Sequence, residues 1–133
     1  MIGKEDLALK DYQRAIELAP MYHLALQNKA WLLTSTKEET VRDPVEAIKT
    51  AMSVCEISQF KDFSDVTLLA AAHASAGEFE TAVGWQEKSI ELGNEAQKKI
   101  AEKLTLHYQA KKEFDPKLLE SAAVPTEEEA APQ

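Results

Sequence analysis

The stretch Ala47-Ile48-Lys49-Thr50-Ala51-Met52-Ser53-Val54-Cys55-Glu56-Ile57 places small and apolar residues at 47, 48, 51, 54, 55 and 57, the spacing of one helical face. The same offsets recur upstream in Ala8, Leu9, Tyr12, Ala15, Ile16 and Leu18. They recur downstream in Ala82, Val83, Gln86, Ser89, Ile90 and Leu92. The closing tripeptides Ile16-Glu17-Leu18, Cys55-Glu56-Ile57 and Ile90-Glu91-Leu92 match as well, and successive starts lie 39 and 35 residues apart. Between these segments the pattern predicts two further helices, over 24–36 (Leu26, Ala30, Leu33) and over 63–76 (Val66, Leu69, Ala70, His73). The unit is a repeated helical hairpin.

Start and stop signals agree with this division. Asp43-Pro44-Val45-Glu46 reads as an N-cap, a proline at the first helical position and a capping-box acid, while Gly77 and Gly93 stand where helix C-caps belong. Asn94-Glu95-Ala96-Gln97 restarts the chain with the same capping logic, and a last helix runs to about Ala110 with Ile100, Leu104 and Tyr108 on one stripe.

Over residues 3–93 the chain resembles the tetratricopeptide repeat, a helix-turn-helix unit of about 34 residues. Gly3, Ala8, Tyr12, Ala15 and Pro20 look like the second half of one repeat. Ala30, Ala47 and Val54 fit a second, and Leu69, Ala70, Gly77, Phe79, Ala82 and Ser89 fit a third. The resemblance implies an all-α, right-handed α-α superhelix of hairpins: a half repeat over 3–20, repeats over 23–58 and 63–93, and a capping helix over 94–111, together forming a domain over 1–114. The longer spacing implies about five extra residues in the loop 37–42. Lys29 replaces a large apolar residue of the family, and Gln86 an aromatic that Trp85 could supply. The first repeat lacks its first helix, so the chain is expected to be the C-terminal part of a longer array with an open first face. The segment 115–133, with five acidic residues against Lys117 alone, is expected to be an acidic disordered tail.

Composition narrows the function. The 133 residues are 44% hydrophobic and 29% charged, with a net charge of −8, so a basic footprint for nucleic acid is absent. No apolar stretch reaches the roughly 20 residues of a membrane span. The lone Cys55 rules out an internal disulfide, and a reducing, cytoplasmic interior is the default expectation. There is no glycine-rich phosphate loop, and His23, His73 and His107 lack second ligands at helical spacing, so no cofactor or metal is implied. His73 reads as a structural histidine on a buried stripe and Cys55 as a small core hydrophobe.

What remains is surface shape. In the family, the first helices of successive hairpins line a concave groove. Carried over, the lining positions are Leu24, Gln27, Asn28, Trp31, Thr34 and Ser35 from one helix, and Ser64, Thr67, Leu68, Ala71, Ala74 and Ser75 from the next. Asn28 matches an asparagine that holds ligand backbones in the family. Trp31 is the large aromatic of that set, either a groove anchor or a core residue covered by the loop 37–42. Lysines that would clamp a terminal carboxylate are replaced by Ser64 and Leu68. The expected function is a non-catalytic module that takes a protein or peptide partner in this groove. Two alternatives stand beside it: self-assembly through the open first helix, where Leu9 and Tyr12 lie, and a regulatory appendage of a larger enzyme.

Overall fold

The computed structural model describes residues 3–120, and the rest of the expected tail lies outside the described residues. Helices α1 (Lys4–Leu18), α2 (His23–Ser35), α3 (Pro44–Ile57), α4 (Phe63–Ser75), α5 (Phe79–Ile90), α6 (Glu95–Gln109) and α7 (Lys117–Glu120) follow one another, with no strand among the described residues. The protein is all-α. Short α7 falls inside the stretch 115–133 expected to be a disordered tail, and the start of that stretch is instead ordered because Leu118 and Leu119 pack against the core.

Local chemistry sets the helix ends. Asp43 caps α3 by accepting from the Glu46 backbone N–H at 3.1 Å, with Pro44 opening the helix. The Glu46 side chain does not complete a capping box; its carboxylate instead pairs with Lys29 Nζ at 3.0 Å. This is how Lys29 is accommodated where the family has an apolar residue. Asn94 and Gln97 do form the reciprocal capping box of α6. At the end of α4, Gly77 (φ +80°) donates to the Ala74 carbonyl and Glu78 to the His73 carbonyl, a Schellman turn. Gly93 serves a different purpose from the expected C-cap. A Cβ there would lie 2.9 Å from the Gln97 Cβ and 3.0 Å from the Phe63 ring, so the glycine permits close approach between the starts of α4 and α6.

Each helix packs on the next, as short connections require, and α2 meets α4, which in turn meets α6. Helices α1, α3 and α5 make no backbone approach to one another among the described residues. Side chains therefore form two clusters that meet at Trp31 and Trp85. One holds Leu26, Leu33, Val54, Val66 and Leu69, together with Val41 from the loop 37–42, which plugs the core. The other holds Ala70, Ala71, Ala74, Ala82, Ile100, Leu104, Tyr108 and Phe114. The fully buried alanines at 47 and 82 let neighbouring helices come close. Gln86, also fully buried, donates to the Thr67 and Ser89 hydroxyls, while Trp85 stacks on Phe60 with ring centroids 5.5 Å apart.

Candidate functional site

The expected groove residues sit on α2 and α4, and the structure distributes them unevenly. Trp31, Ser64 and Thr67 come together around a cavity of about 300 Å³, completed by Phe63 at the start of α4, by Asn94, Ala96, Gln97 and Ile100 around the start of α6, and by Leu119. Leu24 and Ser64 are exposed, while Gln27, Asn28, Trp31 and Ser35 are half-buried. Thr34, Thr67, Leu68, Ala71, Ala74 and Ser75 are buried. Several of the polar groups are already engaged inward. The Thr67 hydroxyl accepts from Gln86, and the Ser75 hydroxyl donates to the Ala72 carbonyl at 2.8 Å.

A segment after α6 accounts for part of this burial. Lys111 (φ +58°) donates to the Tyr108 carbonyl and Lys112 to the His107 carbonyl, so a Schellman turn reverses the chain. His107 Nε2–H donates to the Glu113 carbonyl at 2.6 Å and fixes the return path. Phe114, only 8% exposed, then lies 5.7 Å from the Trp31 ring, centroid to centroid. Leu118 and Leu119 pack against the same cluster. Trp31 is thus shielded by Phe114, and it also packs against the cluster that holds Val41 of the loop 37–42. Arg42, at the end of that loop, donates to the Ser75 carbonyl at 2.8 Å and approaches Glu113 Oε1 at 3.5 Å.

Sequence reasoning missed one polar cluster between α2 and α4. Asp65 is fully buried; its Oδ2 lies 2.7 Å from His23 Nε2, and its Oδ1 accepts from Gln27 Nε2 at 2.7 Å. The Cys55 thiol donates to the Asp65 backbone carbonyl at 3.2 Å. Burial first, and the nearby Asp65 carboxylate second, push the Cys55 thiol up to about 12. Cys55 is therefore held as a neutral thiol, chemically quiet at neutral pH. The signal for this cluster was Asp62-Phe63-Ser64-Asp65, which reads only as a helix start with an acid in its first turn. His73 also finds a carboxylate, Glu78, at 2.8 Å.

Among the described residues no group of three or more His, Cys, Asp or Glu side chains is placed to hold a metal ion. No helix among them is long and apolar enough to cross a membrane. No protein-family model, curated protein or solved structure matches this chain.

Proposed function

We propose that the protein is a non-catalytic interaction module that binds a peptide or helix along the seam of α2, α4 and α6. The observation that carries this reading is the cavity of about 300 Å³ at that seam, where Trp31 and Ile100 supply apolar walls and Ser64, Asn94 and Gln97 supply polar groups. A concave apolar site with a few polar groups is what ligand recognition requires. The packing fits a tetratricopeptide-like array in one respect: helices of the α2, α4, α6 set approach one another while those of the α1, α3, α5 set do not, and the more closely packed set belongs on the inside of a curve. The test is selection of binding peptides from a random display library on the full chain, followed by amide shift mapping. Shifts on α2, α4 and α6, with more than 1 kcal/mol lost in Trp31→Ala, support the groove. Shifts confined to α1, α3 and α5 would move binding elsewhere.

A second reading, self-assembly, is favoured by a separate patch. Leu18 and Met21 are each 72% exposed and lie with Tyr22 and Leu24 around the α1–α2 turn. Contiguous exposed apolar surface of this kind marks interfaces. An oligomer whose mass falls in Leu18→Glu or Met21→Glu supports it, and a monomer at high concentration removes it.

A further inference from the structure

We propose that residues 113–119 are an intramolecular occupant of the groove, and that the partner is a peptide carrying an aromatic residue followed four and five positions later by two aliphatic ones, which displaces them. The proposal rests on the groove reading above. Phe114 bridges two groove helices, meeting Trp31 of α2 and the Ala70, Ala71, Ala74 cluster of α4. Leu118 and Leu119 extend the contact, and Leu119 forms one wall of the remaining cavity. The chain thus displays the side-chain chemistry that this surface accepts: one ring, then two branched aliphatics, with an acidic group facing Arg42.

Phe114 and the His107–Glu113 bond anchor the start of the occupant, and its far end is held less firmly. Helix α7 has four residues, too few to be stable alone, so its order comes from packing. Among the helices, α7 approaches only α6. The Arg42–Glu113 pair is long, at 3.5 Å, with side chains 31% and 60% exposed, and contributes little. The tether adds to these contacts, since a segment attached just after α6 acts at an effective concentration in the millimolar range. A free ligand therefore binds with an apparent affinity equal to its intrinsic one multiplied by the fraction of open molecules. The occupant also leaves about 300 Å³ beside Leu119 unfilled. A peptide with a larger side chain at that position gains contacts that the chain's own segment does not make, and so can displace it.

The probe is a fluorescein-labelled peptide with the sequence of residues 111–120, titrated by anisotropy into the full-length protein. Phe114→Asp in the protein should bind it at least ten-fold more tightly than wild type. The same peptide carrying Phe114→Asp should not bind. If Phe114→Asp loses its helical circular dichroism, the half-buried pair Leu118→Asp and Leu119→Asp serves instead. Equal binding to wild type and opened protein overturns the proposal, as does no binding to an opened protein that stays folded. A wild-type dimer that dissociates on Phe114→Asp also overturns it, by giving the groove to a second copy. If library-selected peptides still shift α2 and α4 amides while the 111–120 peptide fails, the groove reading survives and the intramolecular occupant falls; if both fail, both fall.

Discussion

Helices α1 and α4 are of similar length, yet α4 buries eleven of its 13 residues and α1 none of its 15. The difference lies partly in neighbours. Helix α4 is met by α2, α3, α5 and α6, whereas α1 meets only α2. Sequence and position act together here: α1 carries seven charged residues in 15, whereas α4 has Asp65 as its one Asp, Glu, Lys or Arg and is apolar on nearly every face. The largest expected effect follows directly. Leu69→Ala in α4, where the side chain is fully buried, should destabilise by about 2–5 kcal/mol, while Leu7→Ala in α1, half exposed, should change stability by no more than about 0.5 kcal/mol. Urea melts of the two variants check this. Equal losses would mean that α1 is covered in solution.

The burial of α4 extends to a carboxylate, and that makes it vulnerable from the α2 side. His23→Ala would leave Asp65 Oδ2 without its partner in a fully buried position, with Gln27 serving only the other oxygen. A loss of about 1–3 kcal/mol is expected, the usual penalty for an unsatisfied buried polar group. Thermal unfolding measures it, and His23→Gln, which can still donate, should recover part. A neutral His23→Ala would show that Asp65 does not depend on the imidazole.

How much of this was legible depends on sequence distance. The helices and the buried alanines at 47 and 82 follow from local spacing, because a helical face is written within a few turns. The pairing of Asp65 with His23 was not, since each residue looks ordinary in its own turn and only the stacking of α2 on α4 joins them. Phe114 marked the end of the pattern in sequence, and its contact with Trp31 depends on a chain reversal at a lysine where a glycine would have signalled a turn. Gly93, conversely, looked like a cap and proves to be a site of close approach.

Burial at the α3–α4 contact should also appear in alkaline solution. The Cys55 thiol is pushed from 9.0 up to about 12 in the folded protein, so between these values the unfolded chain loses a proton that the native chain keeps. The native state then binds more protons, and stability, complete below pH 9, falls as pH rises, by about 1.4 kcal/mol per pH unit for one such group. Buried Tyr108, also raised, adds a slope of the same sign at higher pH. Denaturation midpoints between pH 8 and 11 should fall less steeply in Cys55→Ala. Parallel curves would mean that the thiol is not protected by folding.

The smallest expected effect compares two turns built alike. Gly77 after α4 and Lys111 after α6 both adopt left-handed backbone, and each closes a Schellman turn with the same pair of backbone bonds. Glycine adopts that conformation freely, whereas an L-residue is disfavoured there by roughly 1–2 kcal/mol, partly offset because glycine gains more freedom when unfolded. Gly77→Ala meets no atom within 4 Å, so its change reports the backbone alone and should destabilise by about 1 kcal/mol. Lys111→Gly should move the other way, stabilising by up to about 1 kcal/mol. Paired thermal melts check the signs. If Lys111→Gly instead destabilises, the turn after α6 is not left-handed in solution, and Phe114 would lose the reversal that brings it back to Trp31.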